Sequence, residues 1–456
     1  MSDLLSTGLL DRAFRRITEV WRDMASSVSG EADQSLESRM RACLQARGGE
    51  VSARNRAASL AQTYQSLDET GRREFLIALA GFDADPEAVA TAYDALRATD
   101  DPATAMAGLR RALEPPRLRL LTQFTSIPNG QKFLVDLRGF LLRVRGEDKR
   151  LAALDADLRG LLGAWFDIGF LELQRIDWNS PASLLEKLVD YEAVHAIRSW
   201  SDMKNRLDSD RRCYAFFHPR MPGEPLIFVE VALVQGLSGS VQHLLDEDAP
   251  VLDPGAADTA IFYSISNCQT GLAGISFGNF LIKRVVEELS AEFPKLRTFA
   301  TLSPIPGFRR WLDTALKSGE IGMLSDEEAA SLRSAMPAEN GSASLAALVA
   351  HAGWWQEPGL RKTAEPVLIR LCARYLLTEA NGRRARDPVA HFHLSNGARI
   401  ERLNIVGDSS DKGARESATL MVNYLYDPAR IEDYHEDYAG EGKRNASTAV
   451  RRLGRA

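Results

Sequence analysis

The first third of the chain carries apolar residues at helical spacing. Asp85-Pro86-Glu87 and Asp101-Pro102 each place an acidic residue before a proline, an arrangement that caps and begins an α-helix. Pro115-Pro116 ends one helix, and Pro128-Asn129-Gly130 makes a turn before the next. The apolar positions after these starts recur every three or four residues: Val89, Tyr93, Leu96, Met106, Leu109, Leu113, Phe133, Leu134, Leu137 and Leu141. Residues 1–166 are therefore predicted to form an all-helical domain, which we expect to serve assembly.

Strand-like runs begin after the pattern changes near Trp165. Arg212 to His218 and Leu226 to Val234 are rich in apolar, aromatic and β-branched residues, and a Met-Pro-Gly turn separates them. Residues 309–380 return to helical spacing, with a polar break at 337–342 that predicts a loop. We therefore predict a second domain, residues 167–456, of mixed α/β class with a helical insert.

The stretch after this insert has the pattern of a β-hairpin. His391 to Ser395 and Ala398 to Val406 flank Asn396-Gly397, a dipeptide typical of a two-residue hairpin turn. Alternate side chains of a strand point to the same face, so this prediction places His391 and His393 side by side.

A strand, a glycine-rich loop and a helix are predicted in succession after residue 259. Ala260 to Ser266 is an apolar, β-branched run, and Gly271, Gly274 and Gly278 follow it. The residues after the third glycine form one apolar helical face: Leu281, Ile282, Val285, Val286, Leu289 and Phe293. A glycine-rich turn that leads into a helix presents unpaired N–H groups to an anion, so the loop is a candidate pyrophosphate site.

The spacing of these glycines alone more often indicates tight turns and close packing than a ligand site. The loop also lacks the G-x-G-x-x-G pattern of dinucleotide-binding folds and the Gly-Lys-Ser/Thr triplet of a P-loop. Arg297 to Leu302 predicts a second strand, and Ser303 stands at its end. The unit therefore combines a candidate anion site with a candidate reactive hydroxyl.

Composition narrows the function classes. The 456 residues exceed one ordinary hydrophobic core, and 56 Lys and Arg against 62 Asp and Glu argue against a general nucleic-acid binder. The four cysteines show no metal-ligand spacing, a usage typical of a reducing compartment. No apolar run is long enough to span a bilayer, and neither a secretory signal nor a peroxisomal Ser-Lys-Leu end is present. We expect a soluble cytoplasmic protein with no membrane or nucleic-acid partner.

Short motifs are dense between about Trp165 and about Tyr426. They are Glu192-Ala193-Val194-His195, Arg212-Cys213-Tyr214, Pro222-Gly223-Glu224-Pro225-Leu226, Gly271-Leu272, Gly274, Gly278, Phe280 to Val286, Leu302-Ser303-Pro304-Ile305-Pro306-Gly307-Phe308, Pro388 to Ala398, and Asn423-Tyr424. Together they resemble the malonyl-CoA decarboxylase family. The first 165 residues resemble that family mainly in position and helical character.

The resemblance implies an acetyltransferase-like (GNAT-type) mixed α/β fold for the second domain and the conversion of malonyl-CoA to acetyl-CoA and CO2. The thioester carbonyl of such a substrate takes up the electrons that CO2 leaves behind, so the substrate carries its own electron sink and no metal or organic cofactor is required. The protein has to place the carboxylate, stabilise the enolate and protonate the carbon. The resemblance also implies a homodimer or homotetramer and a role in fatty acid metabolism.

In the family's motifs the catalytic residues correspond to Ser303 and His393. The resemblance implies that Ser303 accepts a proton from, or hydrogen-bonds to, the malonyl carboxylate, while His393 protonates the enolate. A serine hydroxyl is a poor base without an activating neighbour, so the two roles stay partly exchangeable. Spacing alone does not choose between His391 and His393; the motif favours His393.

The stretch that corresponds to the family's CoA-binding segment covers the loop and the first helical turn. It comprises Ala273, Gly274, Ile275, Ser276, Phe277, Gly278 and Asn279, and Ser303 and His393 complete the predicted substrate site. Ser276 departs from the acidic residue expected in some relatives, so no catalytic role is assigned to it. Four basic residues are candidates for the CoA phosphates, although solvated surface charge is the more common role of each: Lys283, Arg284, Arg309 and Arg310.

Two other functions stay open at this point. One is an acyltransferase that moves an acyl group from CoA to an amine, which would consume thioester only with an acceptor. The other is a non-catalytic acyl-CoA-binding module, against which the presence of both Ser303 and His393 argues. The role of His195 and the selectivity against methylmalonyl-CoA are also open.

Overall fold

A computed structural model describes residues 19–22, 35–45, 49–275, 278–318 and 323–454. The predicted helical character of the first 166 residues is confirmed over the described part of that segment. Its helices, numbered α1 to α8, are Leu36–Leu44, Gly49–Ser66, Glu69–Ala80, Pro86–Ala98, Pro102–Leu113, Pro116–Phe124, Gly130–Val144 and Lys149–Trp165.

The predicted helix starts are local hydrogen-bonding devices. The Asp85 side chain accepts from the Glu87 N–H, and the Asp101 side chain accepts from the Thr104 N–H. Each carboxylate satisfies an N–H that the first helical turn leaves unpaired, and the proline that follows lacks the N–H that would need a partner. Asn129 takes the left-handed conformation at the predicted turn, with φ at 54°.

The second part of the chain is built on one mixed sheet. Its strands β1 to β6 are Glu172–Ile176, Arg211–Phe217, Pro225–Val234, Thr259–Asn267, Thr298–Thr301 and Ser303–Pro304; β9 and β10 are Arg399–Asn404 and Met421–Tyr426. The order is β1-β2-β3-β4-β5-β10-β6, with β9 on the other side of β10. The strands β7 and β8, Ala380–Asn381 and Arg384–Ala385, form a separate pair.

The described helices of this part of the chain are numbered α9 to α20. They are α9 (Ala182–Tyr191), α10 (Trp200–Arg206), α11 (Val241–Leu244), α12 (Gly278–Glu292), α13 (Phe308–Ser318), α14 (Asp326–Ala335), α15 (Gly341–Ala350), α16 (Pro358–Thr378), α17 (Pro388–Ser395), α18 (Asp411–Ser417), α19 (Ile431–Glu441) and α20 (Thr448–Leu453). The predicted strand–loop–helix–strand unit is confirmed as β4, α12 and β5, and the loop predicted at 337–342 ends where α15 begins at Gly341.

The sheet divides between β4 and β5. These two strands are parallel and pair only from Thr259 to Phe262 on β4. Beyond that point β4 follows β3, whereas β5 and then β6 follow β10 in one register. Among the described strand pairs, none joins the far half of β4 to β6. The open edge of β4 therefore faces the start of β6, where Ser303 lies.

The predicted hairpin around Asn396-Gly397 is wrong. Pro388–Ser395 is the helix α17, and the Asp387 side chain caps it by accepting from the N–H groups of Val389 and Ala390. Gly397, with φ at +77°, follows the C-cap, and the Ala398 N–H returns to the His393 carbonyl. This is the Schellman ending of a helix, in which glycine takes the same left-handed conformation that a hairpin turn requires.

The helical domain contacts the glycine-rich loop directly through backbone. A Cβ added at Gly271 would lie 1.8 Å from the Val135 carbonyl oxygen in α7. Glycine is therefore required here by close packing between the two parts of the chain, rather than by a ligand.

Replacing Gly271 by alanine should lower the stability by about 3 kcal/mol, because the new methyl group meets backbone that has no room to move. Gly160→Ala is the matched control. Gly160 lies within α8 with nothing within 4 Å of its added Cβ, so alanine should raise the stability by up to about 1 kcal/mol. The midpoint of thermal unfolding measures both changes; an unchanged midpoint for Gly271→Ala would contradict the close-packing role.

Candidate active site

Ser303 lies at the point where the sheet divides. It is the first residue of β6 and pairs with Val422 of β10. Its side chain is buried, and its Oγ donates a hydrogen bond to the Thr301 Oγ1 at 2.8 Å. From the sequence, Ser303 was expected at the end of the strand that is now β5. Ser303 instead begins β6, which continues the line of β5 after a one-residue break.

His393 reaches the same point from the helix α17. Its Nε2 lies 3.0 Å from the Ser303 Oγ, although 90 residues separate the two in sequence. The other ring nitrogen, Nδ1, lies 2.8 Å from the Tyr426 Oη. The imidazole stacks on the Tyr424 ring, with the two centroids 4.5 Å apart. The structure thus brings together the two residues that the family motif singled out.

The hydrogen bonds around Ser303 and His393 fit one order of donors and acceptors. Because the Ser303 hydroxyl donates to Thr301, the imidazole tautomer that completes this arrangement carries its proton on Nε2 and donates it to the Ser303 oxygen. A neutral imidazole with its proton on Nε2 accepts at Nδ1, which matches a donating Tyr426 hydroxyl. The series therefore runs from Tyr426 through His393 and Ser303 to Thr301.

Burial keeps this imidazole neutral. His393 is only 3% exposed, and burial lowers its pKa to about 3. Its ring partner is a tyrosine, and burial raises the pKa of the Tyr426 hydroxyl well above its usual value. A neutral phenol orients the ring without stabilising an imidazolium, in contrast to the carboxylate of a Ser-His-Asp triad.

His391 is turned away from this pair. Its Nδ1 lies 2.8 Å from the Tyr438 Oη of α19. The expectation that His391 and His393 share one face is wrong, because positions two apart on a helix are about 200° apart around its axis. Helix α17 thereby separates the two histidines that spacing could not distinguish.

Residues that the sequence reasoning missed support the pair. The buried Asn423 Nδ2 donates to the Thr301 carbonyl at 2.7 Å, and the Tyr424 N–H donates to the Thr301 Oγ1. Asn423-Tyr424 was noted as a motif without a role, whereas Thr301 and Tyr426 carried no signal. The sequence signal that could have identified Thr301 and Tyr426 is the alternation of side chains along the strands β5 and β10.

Asp387 joins the segment that carries Ser303 to the helix that carries His393. One carboxylate oxygen caps α17, and the other accepts from the Gly307 N–H at 3.0 Å. Its side chain is 2% exposed, and burial raises its pKa. Gly307 leaves little room for a side chain, since an added Cβ would lie 2.1 Å from the Tyr375 Oη.

The predicted CoA-binding stretch is described in part. Leu272 to Ile275 form a tight turn, closed by the Ile275 N–H donating to the Leu272 carbonyl. Ala273 has φ −55° and ψ 131°, and Gly274 has φ +76°, the values of a type II turn that requires glycine third. Ser276 and Phe277 lie outside the described residues. Gly278 and Asn279 begin the helix α12, as predicted.

Three of the four basic candidates for CoA phosphates are paired within the protein. Lys283 bonds Glu432, the Arg284 Nη1 lies 3.3 Å from a Glu287 carboxylate oxygen, and the Arg309 Nε lies 2.8 Å from one of Asp313. Arg310 is exposed on α13. These contacts favour the surface-charge interpretation for the three paired residues.

The remaining candidates carry other chemistry. His195 lies in a loop ordered by the Glu192 carboxylate, and burial lowers its pKa to about 4. All four cysteines are buried. Within the described ranges no group of three or more His, Cys, Asp or Glu side chains is placed to hold a metal ion. None of the helices described is long and apolar enough to cross a membrane.

Comparison with known families identifies two matching segments. Residues 169–456 match the model of the malonyl-CoA decarboxylase C-terminal domain. Residues 82–166 match the model of the malonyl-CoA decarboxylase N-terminal domain. The two matched ranges together cover most of the chain and meet near the change from helices to mixed sheet.

Relatives and solved structures agree with these matches. The mitochondrial malonyl-CoA decarboxylase of Anser anser anser is 41% identical over 323 residues, 68% of this chain and 64% of the relative. That of Mus musculus is 40% identical over 329 residues, 70% of this chain and 67% of the relative. The aligned segment thus spans about two thirds of the length of these relatives.

The crystal structures of malonyl-CoA decarboxylase from Rhodopseudomonas palustris and Agrobacterium vitis are each 42% identical to this chain, with a TM-score of 0.83. They cover 91% and 92% of this chain, which itself covers 98% and 99% of theirs. The arrangement of helices and sheet is therefore shared over nearly the whole length.

The low pKa of His393 predicts a steep loss of stability in acid. In the unfolded chain a histidine takes up its proton near pH 6.5, whereas the folded protein resists until about pH 3. The unfolded state thus binds more protons between these values, and the free energy of unfolding falls as the pH is lowered through that window.

His393→Asn should remove this contribution, so its thermal unfolding midpoint should fall less from pH 7 to pH 4 than that of the wild type. His391→Asn keeps the buried imidazole and should retain most of the steep acid dependence. Parallel profiles for the wild type and His393→Asn would show that His393 is not held neutral.

Proposed function

The chain belongs to the malonyl-CoA decarboxylase family, and we propose that it converts malonyl-CoA to acetyl-CoA and CO2 at Ser303 and His393 without a metal or an organic cofactor. The observation that carries the site assignment is the 3.0 Å contact between the Ser303 Oγ and the His393 Nε2, made between two segments 90 residues apart. This contact lies beside the part of β4 that has left its pairing with β5, and we propose that the thioester chain follows that edge.

The reaction breaks one bond and consumes one proton. The bond between the malonyl carboxylate and the α-carbon breaks, and its electron pair moves into the thioester to form an enolate. CO2 leaves, and the α-carbon then takes a proton to give acetyl-CoA. Hydrogen-bond donors that face the developing enolate oxygen lower the barrier, each by roughly 3 kcal/mol in characterised enzymes.

His393 is proposed to supply the proton. In the unliganded protein it is neutral, with Nε2–H directed at Ser303. A substrate carboxylate brought within a few ångström of the imidazole favours the imidazolium and raises the pKa of His393. The imidazole takes up a second proton from solvent, passes one proton to the enolate carbon after CO2 has left, and returns to its neutral form.

Ser303 is proposed to bind the reacting end of the substrate. Its oxygen accepts from His393 and its hydroxyl donates to Thr301, so it has no free proton acceptor strong enough to make it a nucleophile. Exchange of the Thr301 bond for one to the malonyl carboxylate or the enolate oxygen would place the substrate against His393. This arrangement supports a positioning and hydrogen-bonding role.

The glycine-rich turn and the start of α12 are proposed to bind the CoA portion. The turn at Leu272 to Ile275 precedes the helix α12. The first N–H groups of a helix have no partner within the helix, an arrangement that favours phosphate binding. Ala273 to Asn279 would then hold the nucleotide end while Ser303 and His393 hold the malonyl end.

The division at residue 166, a role of the helical domain in assembly, and a homodimer or homotetramer remain predictions. Light scattering of the purified protein measures the oligomeric state directly. A cytoplasmic location also stays a prediction, since the goose and mouse relatives are named mitochondrial.

Purified protein incubated with malonyl-CoA alone should release CO2 and acetyl-CoA in equal amounts, and in D2O should place one deuterium in the acetyl group. The same rate should persist after exhaustive chelation. CO2 measurement and mass spectrometry follow both products. A requirement for an amine acceptor would indicate an acyltransferase, binding without turnover a non-catalytic module, and metal-dependent recovery after chelation would refute the metal-free mechanism.

His393→Asn should lower kcat by about 10²–10⁴-fold, because the proton donor is lost, while acetyl-CoA binding changes little. Ser303→Ala should lower kcat as well, through loss of the contact that places the substrate. His391→Asn is the control on the same helix, and its kcat should stay within about threefold of wild type. Steady-state kinetics and calorimetric binding separate the two effects, and a larger loss for His391→Asn would reverse the assignment.

A further inference from the structure

We propose that the N-terminal helical domain sets the affinity for CoA. Two of its arginines, Arg138 and Arg159, bind backbone carbonyls of Gly271 and of the turn at Leu272 to Ile275. This inference deepens the proposed function and rests on that turn being part of the CoA site. It gives the helical domain a part in substrate binding in addition to any role in assembly.

Arg138 joins the two domains at a buried point. Its side chain is 2% exposed, and its Nη1 donates to the Gly271 carbonyl at 2.6 Å and to the Ala273 carbonyl at 3.0 Å. Its Nε donates to the Asp155 carboxylate at 2.8 Å. The second Asp155 oxygen accepts from Arg145 at 2.6 Å. Paired in this way, the guanidinium has a fixed position from which to hold the turn.

Arg159 holds the next carbonyl from the helix α8. Its Nη2 donates to the Gly274 carbonyl at 2.9 Å, while the side chain as a whole is exposed. The two arginines therefore bind the carbonyls of three of the four residues from Gly271 to Gly274. Both belong to the helical domain. Arg138 precedes Gly271 by 133 residues, and Arg159 precedes Gly274 by 115 residues.

Fixing the carbonyls also fixes the amide groups. In a trans peptide the N–H points opposite to the C=O, so the Gly274 N–H points away from Arg138 once the Ala273 carbonyl is bound. The positive φ of Gly274 completes the turn before Ile275. A turn ordered before the substrate arrives loses less entropy on binding, so the two arginines should act on affinity rather than on the chemical step.

Arg159→Gln is the first test, because an exposed side chain can be replaced without risk to the fold. We expect the KM for malonyl-CoA and the Kd for acetyl-CoA to rise about tenfold, with kcat within about twofold of wild type. Binding of acetyl-pantetheine, which lacks the nucleotide, should not change. Arg159→Lys keeps a donor for the Gly274 carbonyl and should restore most of the affinity.

Arg150→Gln is the matched control. Arg150 lies on the same helix, is exposed, and pairs with Asp148 rather than with the turn, so the same loss of charge should leave the Kd for acetyl-CoA unchanged. Arg138→Lys provides a second measurement. Lysine keeps the charge beside Asp155 but loses the fork, so hydrogen exchange at residues 271–275 should increase if the variant folds as judged by its unfolding midpoint.

The outcomes distinguish this inference from the proposed function, because acetyl-CoA binding requires no turnover. Wild-type protein that binds acetyl-CoA but releases no CO2 contradicts the proposed function alone. Equal acetyl-CoA affinity in Arg159→Gln and Arg150→Gln contradicts the inference alone. A fall in kcat for Arg159→Gln without a change in KM would also overturn it.

Discussion

The candidate site depends on one buried carboxylate, that of Asp387. It accepts the two free N–H groups at the start of α17 and, with its other oxygen, the N–H of Gly307. Burial of the carboxylate raises its pKa, and its cost is partly offset by these N–H donors and by the positive end of the helix. Because Gly307 lies four residues after Ser303 and His393 lies on α17, this carboxylate sets the distance between the two.

The second constraint is the apolar, aromatic surrounding of His393. Tyr424 stacks on the ring, Tyr426 bonds one nitrogen and Ser303 the other, and no charged group is among the causes that lower the His393 pKa. An imidazole in such a site changes its protonation state when a charge enters. In the proposed reaction the substrate carboxylate would bring that charge and favour the imidazolium.

The proposed placement of a long substrate rests on two features, the division of the sheet and the contact between the helical domain and the turn after β4. Pairing between β4 and β5 stops at Phe262, which leaves an open edge beside Ser303. The turn after β4 is held by Arg138 of the helical domain and by backbone packing at Gly271. Gly271, which had the spacing of a ligand site, thus serves packing, and the proposed CoA contacts belong to the residues that follow it.

The sequence by itself determined the elements whose signals are local. Acid-proline caps and apolar spacing predicted the helices of the first 166 residues, and the β4–α12–β5 unit followed from its periodicity. The hairpin prediction at Asn396-Gly397 was wrong because a left-handed glycine ends a helix as readily as it turns a hairpin. The structure shows an acid-proline helix start at Asp387-Pro388, which was not considered when the hairpin was predicted.

Ser303 and His393 came from the family motifs, but no local pattern contains their contact with each other or the contacts of Tyr426 and Arg138. Helix and turn hydrogen bonds join residues a few positions apart, so the spacing of residue types along the sequence predicts them. Contacts across 90 or 133 residues depend on how finished elements pack, so only the tertiary structure decided them.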